Sequence, residues 1–145
     1  MPEWDKQAHV TWYCLYHVVF IPKYRKKVIF GRLREEIGAI LRELCQQFKI
    51  GLVIGNAMPD HIHMCLSIPP RYSVAQAIGR LKGKSAILIH KRLLKRGKNL
   101  TGYHFWARGY CVSTVGLDEA VVREYIRNQE TQDRQTDGQL LLPMN

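Results

Sequence analysis

Residues 58–68 read Met-Pro-Asp-His-Ile-His-Met-Cys-Leu-Ser-Ile, and they restrict the possible folds more sharply than any other segment. Ile62, Met64, Leu66 and Ile68 are apolar at every second position, while His61 and His63 fall between them. A period of two belongs to a β-strand, where successive side chains point to opposite faces. A slip of one residue would bury both imidazoles and expose the apolar set, so the register is tightly specified. The chain must therefore place this segment in a sheet with its apolar face inward and the histidine pair on the other side. Two imidazoles on one strand face can hold a divalent cation and leave positions open for a substrate.

The rest of the chain reads as one α+β domain. Its 145 residues suffice for one core and not for two. Residues 1–8 are polar and read as frayed. Residues 9–21 read as a long strand ending at Pro22, with 28–30 as a short return strand. Leu33, Ile37, Ile40, Leu41 and Leu44 recur at helical spacing and predict a helix over 32–48. A strand follows over 50–56, then the tight connection 58–60, then its antiparallel partner over 61–68. Pro69 and Pro70 stop that strand, and Ser73 opens a helix running to about residue 94. A loop over 97–101 leads to a strand over 106–115. Asp118 can cap a last helix reaching about residue 130. The order strand, helix, strand, strand, helix, strand, helix predicts a ferredoxin-like antiparallel sheet with helices mainly on one face, plus a C-terminal helix bearing Tyr125. Residues 1–131 form the domain and 132–145 a tail.

Charge narrows the partner. Lys and Arg number 22 against 12 acidic residues, a formal charge of +10, which favours a polyanion such as nucleic acid. From Arg80 to Lys98 the polar residues of the second helix and its continuation are almost all basic: Arg80, Lys82, Lys84, Lys91, Arg92, Lys95, Arg96 and Lys98, without an acidic residue among them. A solvated helix usually mixes signs, whereas a one-sign face suits a phosphate backbone. Phe105, Trp106 and Tyr110 interleave with Arg108 and offer either a core or a base-stacking surface. Cys14, Cys45, Cys65 and Cys111 are widely spaced and read as buried thiols of a reducing compartment. No segment resembles a signal peptide or a bilayer span, and no Gly-rich phosphate loop occurs. The expectation is a cytoplasmic protein with no membrane partner and no nucleotide cofactor.

The last helix adds a second chemical pair. Tyr125 and Gln129 are four residues apart and share a helix face, placing a phenol beside a carboxamide. Tyr125 could equally complete an apolar stripe with Val121, Val122 and Ile126.

Three blocks together carry a family resemblance: Pro59-Asp-His-Ile-His63, Trp106-Ala-Arg-Gly-Tyr110 and Tyr125-Ile-Arg-Asn-Gln129. In this order, over about residues 10–131, the chain resembles the small single-tyrosine HUH transposases of insertion sequences that move as single-stranded DNA. The resemblance implies that His61 and His63 are paired metal ligands, Tyr125 the nucleophile and Gln129 a third ligand. Arg127 stands where such proteins often carry an acidic residue. It further implies a Mg²⁺ or Mn²⁺ cofactor, hairpin-bearing single-stranded DNA as partner, and a homodimer in which one subunit's histidines work with the other's tyrosine helix. Arg80, Lys82, Lys84, Lys91, Arg92, Lys95 and Arg108 are the candidate DNA contacts. The implied reaction is cleavage and rejoining through a 5′-phosphotyrosine, which conserves bond energy and needs no ATP.

Other readings fit less. A histidine-triad hydrolase would need further histidines where Cys65 and Ser67 stand, and a 2H phosphoesterase would need a second His motif. An RNA-binding module would account for charge and aromatics but not for the histidines with Tyr125 and Gln129. A domesticated relative acting on repeated genomic hairpins shares every one of these features.

Overall fold

The structure, a computed structural model, describes residues 5–7, 10–12, 14–25, 27–94, 105–114, 116, 120–128 and 131. Four strands form an antiparallel sheet: β3 (Leu15–Phe20), β4 (Gly51–Met58), β5 (His61–Ser67) and β6 (Cys111–Ser113), in the spatial order β4-β5-β3-β6. Helix α1 (Gly31–Gln47) connects β3 to β4, and α2 (Val74–Ile89) leads from β5 toward β6. This is the expected ferredoxin-like α+β architecture. A separate hairpin of β1 (Asp5–Gln7) and β2 (Val10–Trp12) precedes it. The expectation of a frayed start is thus corrected at Asp5–Gln7, and the long first strand is two strands.

Alternation sorts the sheet's faces. Val18, Phe20, Ile62, Met64 and Leu66 turn to one face and pack with Ile37, Ile40, Leu41 and Leu44 of α1 and Ile78, Leu81 and Ile89 of α2. The central strand β5 pairs on both sides: Leu66 lies opposite Tyr16 and Leu52, and His63 opposite Val19 and Asn56. In β4 the register shifts between Leu52 and Ile54, leaving one extra residue in a β-bulge. The second face is covered by helical residues 120–128, labelled α3. Val122 and Ile126 pack there against Val19, Ile21 and Ala107.

Two of the following elements depart from the sequence reading, and the helix between them keeps its expected span with a change of winding. Residues 28–30 form no strand. Helix α2 starts with the Ser73 cap, whose hydroxyl accepts from the Gln76 N–H while the Gln76 side chain accepts from the Ser73 N–H; its α-helical part ends at Ile89, and His90–Leu94 continues as a π-helical turn. The last strand is short. Val19 pairs with Cys111 and Pro22 with Trp106, so three steps along one strand are matched by five along the other. The surplus bulges out at residues 108–110, where Gly109 adopts φ 79°. Lys82 of α2 braces this bulge by donating to the Ala107 and Gly109 carbonyls, both at 2.6 Å.

Candidate active site on the second face of the sheet

His61 and His63 lie on the face away from α1 and α2, as the alternation requires, and both are at least partly buried. Asp60, in the β4–β5 turn, is buried and holds His61: its Oδ1 is 2.8 Å from His61 Nδ1. An ionised carboxylate only accepts, so Nδ1 is the donor in this contact and Nε2 is the ring nitrogen left to face a ligand. This carboxylate–imidazole pairing is the usual way a metal-ligating histidine is oriented. Nε2 of His63 is buried and has no hydrogen-bond partner among the described residues. Burial pushes the His63 pKa below its ordinary value, and the nearby His17 and His61 add to the effect. The ring is thereby kept neutral, the form that binds a cation. His17 of β3 stands beside it, ring centroids 5.7 Å apart and planes tilted by 47°.

Helix α3 brings Tyr125 to this same face. Its phenol-bearing side chain is half-buried and packs on the Val19–Ile21–Val122–Ile126 cluster. On the same helix, Arg123 Nη1 reaches Asp60 Oδ2 at 3.3 Å. The helix therefore sits on the sheet of its own chain, joined to the turn that presents the histidines. Gln129 and Asp118 lie outside the described residues. Among the described residues no three His, Cys, Asp or Glu side chains gather into a metal-holding group. An unpartnered buried imidazole nitrogen beside a carboxylate-oriented one nevertheless suits a divalent ion, provided another donor, such as a carboxamide or substrate oxygen, completes its shell.

Beside this geometry stands the similarity of the whole chain to known proteins. Residues 10–129 match the family model described as "Transposase IS200 like". This chain belongs to the IS200-like transposase family. It is 40% identical over 136 residues to the transposase of insertion sequence element IS200 from Salmonella typhimurium, covering 94% of this chain and 89% of that protein. It is 29% identical over 119 residues to the ISDra2 transposase TnpA of Deinococcus radiodurans, covering 81% and 85%. Among solved structures, a crystal structure of a transposase-like protein from Deinococcus radiodurans superposes with a TM-score of 0.73 at 27% identity, covering 86% of this chain and 97% of that one. The fold is also that of a REP-associated tyrosine transposase solved with a REP hairpin, with a TM-score of 0.53 at 8% identity over 87% and 68% of the two chains.

In this IS200-like transposase the basic residues of the sequence reading take several roles. Lys84, Lys91 and Arg108 are exposed. The Arg80 guanidinium lies over the Tyr72 ring at 5.3 Å and the Phe48 ring at 5.8 Å. Lys82 is the internal brace described above, and Arg92 pairs with Glu43 of α1 at 3.0 Å. Lys95 lies outside the described residues. Trp106 belongs to the core rather than to a stacking surface: it is 4% exposed, donates to Ser85 Oγ at 3.0 Å, and meets Phe20 and Phe105 edge-on. Sequence reasoning missed His17, Asp60 and Arg123. His17 carried a usable signal, since Val18 and Phe20 fix its strand's apolar face and leave His17 on the other. The Asp60–Arg123 contact spans 63 positions and had none.

Proposed function

We propose that this transposase cleaves and rejoins single-stranded DNA by transesterification on Tyr125. The observation that carries the reading is that Tyr125, His61 and His63 belong to the same face of the sheet, the one that α3 covers. The Tyr125 oxygen attacks the scissile phosphorus, the P–O3′ bond breaks, the 5′ phosphate becomes tyrosine-linked, and the leaving oxygen takes a proton to become a 3′-OH. A second 3′-OH then attacks the phosphotyrosine, restores the phenol and makes a new phosphodiester junction. Both steps exchange one phosphoester for another, so no nucleotide cofactor is consumed.

His61 and His63, with the Gln129 carboxamide that the family resemblance assigns, would hold Mg²⁺ or Mn²⁺, the latter more tightly given two nitrogen donors. When bound, the ion polarises the non-bridging phosphate oxygens. The chain's own part is to orient His61 through Asp60, to keep His63 neutral, and to hold Tyr125 over the face with water partly excluded.

The substrate reading is DNA hairpins at element ends, gripped by the exposed cations Lys84, Lys91 and Arg108 with Arg80. It draws support from the +10 charge and from the fold neighbour solved with a hairpin. The 40% identity to an insertion-sequence transposase favours element mobility over a domesticated role. A homodimer is the proposed assembly. It draws support from edge strand β4, which exposes Val53, Ile54 and Met58. The deciding experiment is a denaturing gel with 5′- and 3′-labelled hairpin DNA and Mn²⁺. Wild type yields a protein-linked fragment carrying the DNA downstream of the cut. Tyr125→Phe binds the hairpin and gives no such band; a covalent band in that variant rules the nucleophile out.

A further inference from the structure

Asp60 is a carboxylate with 3% exposure, and its two oxygens serve two different elements. Oδ1 meets His61 Nδ1 at 2.8 Å, and Oδ2 meets Arg123 Nη1 at 3.3 Å. A buried carboxylate is costly unless paired, so both partners matter to it. The helix geometry makes the second contact informative. At 100° per residue, Arg123 and Tyr125 lie on opposite flanks of the buried Val122–Ile126 line, each roughly 80° from its centre. The apolar line alone sets the depth of the helix but only loosely its roll, because apolar contact is non-directional. A hydrogen-bonded ion pair is directional. Fixing Arg123 on one flank fixes where the other flank aims Tyr125.

We propose that Asp60 and Arg123 form a positioning latch, in which Arg123 sets the roll of the tyrosine-bearing helix on the sheet and the shared Asp60 carboxylate ties that seating to the orientation of His61. Arg123 is a positioning residue; it acts through Asp60 on one side and through the helix on the other. The catalytic consequence rests on the reading of Tyr125 as nucleophile, while the seating itself does not.

The test uses the full chain and the variants Arg123→Ala, Arg123→Lys and Asp60→Asn, with thermal midpoints confirming a folded sheet. Hydrogen–deuterium exchange of residues 120–128, without DNA or metal, reads the seating. Arg123→Ala should raise that exchange about tenfold, the scale of one charge-assisted hydrogen bond, while leaving β5 protected. Arg123→Lys should recover part of the loss. Asp60→Asn should raise exchange as well, and the Asp60→Asn/Arg123→Ala pair should be no worse than Arg123→Ala alone. Mn²⁺ affinity reads the tie to His61: Asp60→Asn should weaken it by about 10- to 100-fold, and Arg123→Ala should also weaken it, by less. Unchanged helix exchange in Arg123→Ala overturns the latch. Additive effects in the double variant, or Mn²⁺ affinity untouched by Arg123→Ala, overturn the link through Asp60. If wild type forms no covalent adduct while exchange moves as expected, the nucleophile reading fails and the latch stands.

Discussion

His63 and His61 are neighbours in sequence yet sit in different electrostatic surroundings. His61 has a carboxylate at its Nδ1; His63 has burial and two further imidazoles, His17 and His61, and its pKa is lowered accordingly. The sign of the resulting pH dependence follows. An unfolded imidazole titrates near its ordinary value of 6.5, and the folded one below it. Between those points the unfolded chain binds more protons, so stability rises with pH there and is lost as pH falls from 6.5 toward the folded value. Metal-stripped wild type should therefore lose stability as pH falls through 6.5 and below, and His63→Gln should lose less, as measured by urea midpoints. The His61–His63 pair was legible in the sequence because alternation with Ile62, Met64 and Leu66 leaves only one face for it. Asp60 and Arg123 were not legible. Their roles depend on where a turn and a helix meet in space, and no local period encodes that.

At the scale of elements, local chemistry and tertiary context divide the account. Helix α2 begins where Ser73 predicts because the capping box needs only residues within one turn. The last strand fails to run from 106 to 115 for a tertiary reason: Trp106 is drawn into the core and hydrogen-bonds Ser85, and the surplus residues bulge under the Lys82 brace. The end of α1 offers a stability test. The Ile50 N–H bonds to the Cys45 carbonyl and the Lys49 N–H to the Gln46 carbonyl, a Schellman closure with Lys49 in the left-handed region at φ 57°. Glycine holds that position without a Cβ penalty, so Lys49→Gly should stabilise the domain by about 1 kcal/mol. Chemical denaturation with an unchanged m-value would report it.

For the whole molecule, the sheet is sandwiched: α1 and α2 close one face and α3 the other. The ferredoxin-like layer was readable from element order and alternation. The placement of α3 on its own chain's histidine face was not, since a short amphipathic helix after the last strand could dock on its own sheet or on a second copy's. Mixing a His61→Ala/His63→Ala variant with a Tyr125→Phe variant addresses that choice. Sites assembled within one chain predict no cleavage in the mixture after verified subunit exchange, whereas sites shared between copies predict its recovery in mixed dimers.

The bulge in β4 has a genetic consequence. Gly51 and Leu52 pair with Ser67 and Leu66, and Ile54 and Gly55 with Cys65 and Met64. Removing Val53 would join these two stretches into one regular ladder without turning any side chain to the wrong face. At most other positions in this sheet, an in-frame loss of one codon would invert everything beyond it. The edge of the sheet thus holds a point where length can drift between relatives while the histidine face keeps its register.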